Sequence, residues 1–152
     1  MKHAWGCLLL VACGTTSGEP MKGNIAFSYG TSMPKMSVGA AVEDMDTPGH
    51  MVVMMGDDNV DCSSDFSGIS FGGPSGTFVY FSVDATTPGT DANAEISIEH
   101  STGSHISING TGGTVTIDTV MPRVTGNLSV TTTDDQVGEI SVSGNFDIKR
   151  CF

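Results

Sequence analysis

The amino-acid sequence predicts an all-β fold, an antiparallel β-sandwich or flattened barrel of about eight to ten strands. Three observations predict it. Apolar and polar residues alternate along many short segments, and glycines and prolines fall between those segments. No stretch after residue 20 shows a convincing apolar period of 3.6 residues. A sheet that packs on one face and meets solvent on the other produces such an alternation.

The alternation is clearest in six segments. They read "NIAFSYG", "EISIEH", "HISING", "TVTID", "NLSVT" and "EISVSGNFDIKRCF". Two continuous apolar runs, "MVVMM" and "FVYFSV", are predicted to be strands near the centre of the core. Turn-forming sequences such as "TTPGTD", "STGS", "NGTGG" and "DDQVG" separate these strands. The segment "SVGAAVEDM" fits either a strand or a short helical turn.

Two C-terminal segments share the pattern V-[TS]-G-N-[LF]-x-[VI]. They are "VTGNLSV" at 124–130 and "VSGNFDI" at 142–148. We expect Gly126 and Gly144 to mark bulges or close backbone approaches in paired strands. The pattern resembles small bacterial lipoproteins of unassigned function, whose β-domains end in a repeated G-[TN]-F strand. This resemblance covers about the last forty residues and implies fold and location, without an activity.

The N-terminus predicts an export signal. Lys2 and His3 precede the apolar run "AWGCLLLVA", which is shorter than the roughly 20 residues that a membrane-spanning helix needs. The residues Leu10 to Cys13 resemble the lipobox, the motif of bacterial lipoprotein signal peptides. The resemblance implies that residues 1–12 are removed and that Cys13 carries a diacylglycerol anchor.

The predicted lipid anchor sets the expected organisation and location. Residues 13–22 would form a flexible tether, and residues 23–152 one β-domain. Gly14, where an Asp would favour the inner membrane, favours the outer membrane of the cell envelope. The expected partners are the membrane, through Cys13, and an envelope protein or a glycan. Nucleic acid is not expected, because 17 acidic residues outweigh 6 basic ones and the net charge is −11.

The cysteines predict one disulfide. The chain has four, of which Cys7 leaves with the signal and Cys13 takes the lipid. Cys62 and Cys151 remain in an oxidising compartment and are predicted to pair, with two separate thiols as the alternative. Because Cys151 falls on the opposite face from Phe146, the bridge is expected on the outer face or at the edge of the sheet.

An acidic stretch resembles the first part of a calcium loop. Its oxygen-bearing residues occupy positions 1, 3, 5 and 9 of an EF-hand-type loop: Asp57, Asn59, Asp61 and Asp65. However, Cys62 stands where the loop needs glycine, and Gly68 stands where it needs glutamate. Calcium is therefore an alternative to a solvated acidic turn.

Methionines suggest a copper site as a further alternative. Six of them lie close together beside His50: Met33, Met36, Met45, Met51, Met54 and Met55. Thioethers and imidazole bind Cu(I). Adjacent residues of a strand face opposite sides, so Met54 and Met55 cannot share one ion. Packing in the core is the favoured interpretation.

Catalytic motifs are weak. The stretch from Gly68 to Gly72 matches G-x-S-x-G around Ser70, but "GGPSG" follows, which cannot open the helix that this motif requires. His100 and His105 flank "STGS" and are expected to be exposed hairpin residues. The sequence therefore predicts an exported, lipid-anchored envelope protein with a non-catalytic binding or structural β-domain. A metal-handling protein is the alternative, and a hydrolase is a weaker one.

Overall fold

A computed structural model describes residues 18–57, 60–62, 76–101 and 105–152. The predicted signal peptide and Cys13 lie outside these ranges. The described residues form eight β-strands. They are β1 (Lys22–Tyr29), β2 (Val38–Glu43), β3 (His50–Gly56), β4 (Gly76–Asp84), β5 (Gly89–Ser101), β6 (His105–Thr119), β7 (Arg123–Asp134) and β8 (Gly138–Arg150). Within those ranges, no helix is long and apolar enough to cross a membrane.

Seven of the strands close into a barrel. Their order is β8-β2-β3-β4-β5-β6-β7, and β7 pairs again with β8. All neighbours are antiparallel except β2 and β8, which pair in parallel through Ala40 with Lys149 and Ala41 with Arg150. The strand β1 runs antiparallel to β8, beside this short parallel pairing. The all-β prediction is confirmed, and seven of the strands form a closed barrel.

The strand β6 differs from the sequence-based prediction. "NGTGG" is predicted to be a turn, and this is wrong, because β6 continues through it without a break. One register shift of the β5–β6 ladder falls in this segment, where β6 advances three residues between Ile108 and Thr111 while β5 advances two, so β6 is bulged there. A Cβ atom on Gly113 would lie 2.6 Å from Cδ1 of Ile96, so glycine lets the two strands pack closely. "SVGAAVEDM" contributes the strand β2.

The barrel interior is filled by alternating apolar side chains, and β3 is buried on both faces. Met51, Val53 and Met55 point into the interior. Met54 points outward into a second group, the outer cluster, whose members are Val38, Ala40, Met54 and Val60. Burial on both faces explains why "MVVMM" is apolar without alternation.

The segment after β3 folds back over the outer cluster. Val60 is fully buried there, and its carbonyl accepts a hydrogen bond of 2.7 Å from the Glu19 amide. The sulfur atoms of Cys62 and Cys151 lie at disulfide-bonding distance, with their Cα atoms 5.4 Å apart. Cys151 packs against the outer cluster, so the pair lies on the outer face, as the alternation predicts.

The glycines of the two C-terminal segments behave as predicted. The segments face each other in the antiparallel β7–β8 ladder. A Cβ atom on Gly126 would collide with the carbonyl oxygen of Thr116, and one on Gly144 would collide with that of Asn24. Gly144 also has a φ of +138°, which L side chains rarely adopt. Both glycines mark close approaches of neighbouring backbones.

Candidate ligand-binding site

The barrel wall splits between β4 and β5. Their ladder runs from Gly76 opposite Ser101 to Tyr80 opposite Ser97 and stops there. Beyond this point β4 continues to Asp84 in pairing with β3, whereas the first half of β5 pairs with β6. The two strands therefore diverge toward one end of the barrel.

A bulge in β5 accounts for the divergence. Between Asp91 and Ala94, β5 advances three residues while its partner strand β6 advances two, from Val115 back to Gly113. Such a bulge bends a strand and increases its twist. The carboxylate of Asp91 stabilises it, because Oδ1 accepts a hydrogen bond of 2.8 Å from the amide of Asn93.

The turn that follows β4 depends on a second aspartate. Oδ1 of Asp84 accepts hydrogen bonds from the Thr86 amide at 2.7 Å, the Thr86 hydroxyl at 2.8 Å and the Thr87 amide at 2.8 Å. The Thr86 and Thr87 donors, with a smaller contribution from nearby His50, hold the pKa of Asp84 below its usual value. Asp84 is therefore an anion at neutral pH.

A cavity of about 350 Å³ occupies the split. Its walls include the buried side chains of Val115 and Ile117 and the half-buried Val83, while His50 and Ser82 contribute polar groups. Its rim carries Asp84 and Asp91, and none of the described residues that line it is a lysine or an arginine. The volume lies at the lower end of the range for small-molecule pockets, about 300–1,000 Å³.

Three polar side chains meet at the edge of this cavity. Oγ of Ser82 donates to Oδ2 of Asp44 at 2.6 Å, and Nδ1 of His50 lies 3.5 Å from the same Oγ. Partial burial alone would raise the pKa of Asp44, but hydrogen bonds from Ser82 and from two backbone amides lower it overall. In serine hydrolases an imidazole takes the serine proton and a carboxylate orients the imidazole. Here the serine proton points to the carboxylate, so Ser82 is held as a polar wall group.

A second polar cluster is packed in the core near the opposite ends of β4 and β5. His100 and Thr77 are buried, Nδ1 of His100 lies 2.7 Å from Oγ1 of Thr77, and the Tyr29 ring lies 4.3 Å from the imidazole. Burial lowers the pKa of His100, and the carboxylate of Asp57 opposes this effect. The expectation that His100 is exposed is wrong. In the β5–β6 ladder His100 lies opposite Ile106, and His105 lies opposite Ser101.

The predicted calcium ligands are described in part. Oδ1 of Asp57 accepts a hydrogen bond of 3.0 Å from the Thr77 amide and thereby ties this segment to β4. Asp61 is described, whereas Asn59 and Asp65 lie outside the described residues. Within the described ranges, no group of three His, Cys, Asp or Glu side chains is placed to hold a metal ion. Calcium binding by this loop stays a prediction.

The methionines that suggest copper lie in different environments. Met51 and Met55 are buried inside the barrel, and Met54 is buried on its outside, as strand alternation predicts. Met33 and Met45 are 79% and 77% exposed. The packing interpretation therefore accounts for the buried members. Ser70, of the weak hydrolase motif, lies outside the described residues.

The cavity residues escaped the sequence-based search, although a local signal marks two of them. "DAT" begins at Asp84 and "DAN" begins at Asp91. In both triplets the aspartate accepts from the amide two residues later, as Asx turns do. Nothing comparable in the sequence marks Ser82, and His50 is noted there only beside the methionines. The two residues come together through the pairing of β3 with β4.

Comparison of the chain with protein-family models, with curated proteins and with solved structures finds no match.

Proposed function

We propose that the protein is an exported, lipid-anchored protein of the bacterial cell envelope whose β-domain is a non-catalytic binding module. The lipobox-like residues before Cys13 support export and anchoring, and Gly14 supports the outer membrane. Two or more acyl chains on Cys13 would provide stable attachment. The excess of acidic residues suits a domain that stands away from an anionic surface.

The cavity between β4 and β5 is the observation that carries the binding function. Val115 and Ile117 give it an apolar floor, and the side chains of Ser82, Asp84 and Asp91 give it polar groups at the rim. A small number of polar groups around an apolar surface is typical of ligand pockets. The site is built on strands and on turns held by side-chain hydrogen bonds, so its shape is preorganised.

Binding without turnover is favoured by the state of the polar groups. Asp44 and Asp84 have lowered pKa values, which makes both carboxylates weak bases at neutral pH. Ser82 donates its hydroxyl proton to Asp44 instead of to an imidazole. These groups suit hydrogen bonding and charge recognition.

The proposal is tested by blocking the cavity. Gly89 lines it, and a Cβ atom there would meet no neighbouring atom within 4 Å, so Gly89→Trp adds bulk without a clash at the backbone. Gly112 has equally open surroundings and does not line the cavity, so Gly112→Trp is the matched control. The purified chains are incubated with a cell-envelope extract and isolated again, and the small molecules they release are identified by mass spectrometry.

We expect the native chain and Gly112→Trp to retain the same compound, either a metabolite or a glycan fragment, and Gly89→Trp to lose it. Equal retention by all three chains would place binding elsewhere. No retained compound in any of them would contradict the proposed binding function.

A further inference from the structure

We infer that this cavity selects small organic cations, such as a primary or quaternary ammonium group carried on a short apolar body. The inference rests on the proposed function, since it names the class of ligand that the same cavity would take. It follows from three properties of the cavity, namely the sign of its charge, the arrangement of its carboxylate oxygens and the chemistry of its floor.

The charges around the cavity are those of a cation site. Asp84 and Asp91 belong to its lining, Asp44 is hydrogen-bonded to the lining residue Ser82, and the described part of the lining contains no lysine or arginine. Asp84 and Asp44 are ionised at neutral pH, because hydrogen bonds lower the pKa of each. An anionic ligand would meet two carboxylates at the rim, and the imidazole of His50 is the one basic side chain among the described residues of the lining.

The two rim carboxylates are oriented by their own turns. The hydrogen bonds that the described residues donate to Asp84 and Asp91 all go to Oδ1. No described residue donates to Oδ2 of either carboxylate, so both Oδ2 atoms can accept from an incoming ammonium group. Because the turns already fix both side chains, little side-chain entropy is lost when a cation binds.

The apolar residues at the base of the cavity favour an organic cation over a metal ion. Val115 and Ile117 are buried and offer no ligand atoms, and Val83 adds further apolar surface. Hard cations require several oxygen ligands around them. In the described ranges no three acidic, histidine or cysteine side chains form such a group. An alkyl or aryl body on the floor, with its ammonium group at the rim, uses both kinds of surface.

Three probes of equal length separate charge from apolar contact. They are n-hexylammonium, n-hexanol and n-hexanoate, each titrated into the full chain while amide chemical shifts are followed by NMR. We expect n-hexylammonium to shift the amides of Asp84, Val115 and Ile117 and to bind about tenfold more tightly than n-hexanol, the scale expected for two partly exposed ion pairs. n-Hexanoate is expected to bind most weakly.

The matched variants remove charge without removing the turns. Asp84→Asn with Asp91→Asn keeps an Oδ1 acceptor at both positions and should reduce the affinity for n-hexylammonium to that for n-hexanol. Asp135→Asn, in the turn between β7 and β8, changes charge at the opposite end of the barrel and should leave the affinity unchanged.

Three other results of the titration would overturn the inferred selectivity for cations. Equal binding of n-hexylammonium and n-hexanol by the native chain, or tighter binding of n-hexanoate, overturns the inferred selectivity and leaves the cavity as a binding site. Binding of none of the three probes also overturns it. The retention experiment with Gly89→Trp then decides separately whether the cavity binds a ligand.

Discussion

Asn127 lies directly opposite Asn145 in the β7–β8 ladder. The two asparagines occupy the same position in the two related segments, so the segments are related by a local two-fold axis between the strands. The preceding glycine of each segment touches a third strand. Gly126 lies against β6, and Gly144 lies against β1, where Oδ1 of Asn145 also accepts from the Asn24 amide at 2.9 Å.

The two glycines should therefore be far less tolerant of substitution than a sheet glycine with open surroundings, such as Gly112. We expect Gly144→Ala to lower the free energy of unfolding by at least about 2 kcal/mol, since it combines a strained φ with a collision against Asn24. Gly126→Ala should cost a similar amount through its collision with Thr116. Gly112→Ala, which meets no atom within 4 Å, should change stability by less than about 0.5 kcal/mol. Urea unfolding measures all three, and equal effects would contradict the role assigned to close approach.

The pairing of Cys62 with Cys151 should stabilise the fold. The two cysteines are separated by 89 residues, and closing a loop of that size contributes up to about 4–5 kcal/mol. We expect reduction, or Cys62→Ser with Cys151→Ser, to lower the denaturant midpoint. Alkylation followed by mass spectrometry should find both thiols blocked before reduction and accessible after it. An unchanged midpoint after complete reduction would show that the bond contributes nothing to stability.

The buried His100 should make the protein less stable in mild acid. Its pKa is lowered by burial, so the folded state binds its proton less readily than the unfolded chain. Its contribution is fully present above the ordinary histidine pKa of about 6.5 and is lost as pH falls below that value toward the lowered one. His100→Gln should remove this loss, which urea unfolding between pH 8 and 5 would detect.

The contribution of His100 to stability changes at a higher pH than that of the carboxylates, so the two can be told apart. Asp44 and Asp84 have lowered pKa values, so their contributions are lost as pH falls below about 4. A variant His100→Gln with the same loss of stability between pH 7 and 5 as the native chain would contradict the assignment to His100.

Calcium should leave the acidic stretch after β3 unaffected. Oδ1 of Asp57 already accepts from the Thr77 amide, and we expect Asp57→Ala to cost about 1–3 kcal/mol without calcium, because a part-buried amide loses its partner. Thermal unfolding with and without millimolar Ca²⁺ should give the same midpoint. A rise in midpoint that Asp61→Asn abolishes would establish the calcium site instead. A parallel titration with Cu⁺ tests the methionine alternative.

The lipid anchor should depend on a single cysteine. We expect Cys13→Ala to abolish metabolic labelling with a fatty acid and to release the protein from the membrane fraction. Cys7→Ala, a change of the same kind within the predicted signal, should keep both the label and the location. Labelling that persists in Cys13→Ala would contradict the lipobox assignment.

Local patterns predicted the strands well and one buried side chain badly. Alternation identified the strand segments because each strand has one face toward the interior. His100 was expected to be exposed because it flanks the predicted hairpin turn "STGS". Yet Ile96, Ile98 and His100 share one parity along β5, and that parity points inward. The position of His100 along its strand was here a better guide to its burial than its place beside a predicted turn.

Features that depend on distant pairings were harder to predict. A sandwich and a barrel give the same alternation, and closure depends here on two residue pairs between β2 and β8. The cavity arises because a bulge in β5 separates it from β4, and the wall of the cavity is completed by residues from β3 and β6. The cysteine pair was predictable because the predicted signal and lipid anchor account for Cys7 and Cys13, which leaves Cys62 and Cys151.

The short parallel pairing of β2 with β8 closes the barrel between an early strand and the last strand. If Ala40 and Ala41 separated from Lys149 and Arg150, the seven-strand wall would open between β2 and β8, while β1 would still pair with β8 over residues 140–147. Cys151 follows directly after this pairing. Its amide donates a hydrogen bond to the carbonyl of Ala41, and its sulfur pairs with Cys62, in the segment packed outside β2. The disulfide therefore ties the end of β8 to the segment that packs outside β2, and so holds the barrel closed at its shortest pairing.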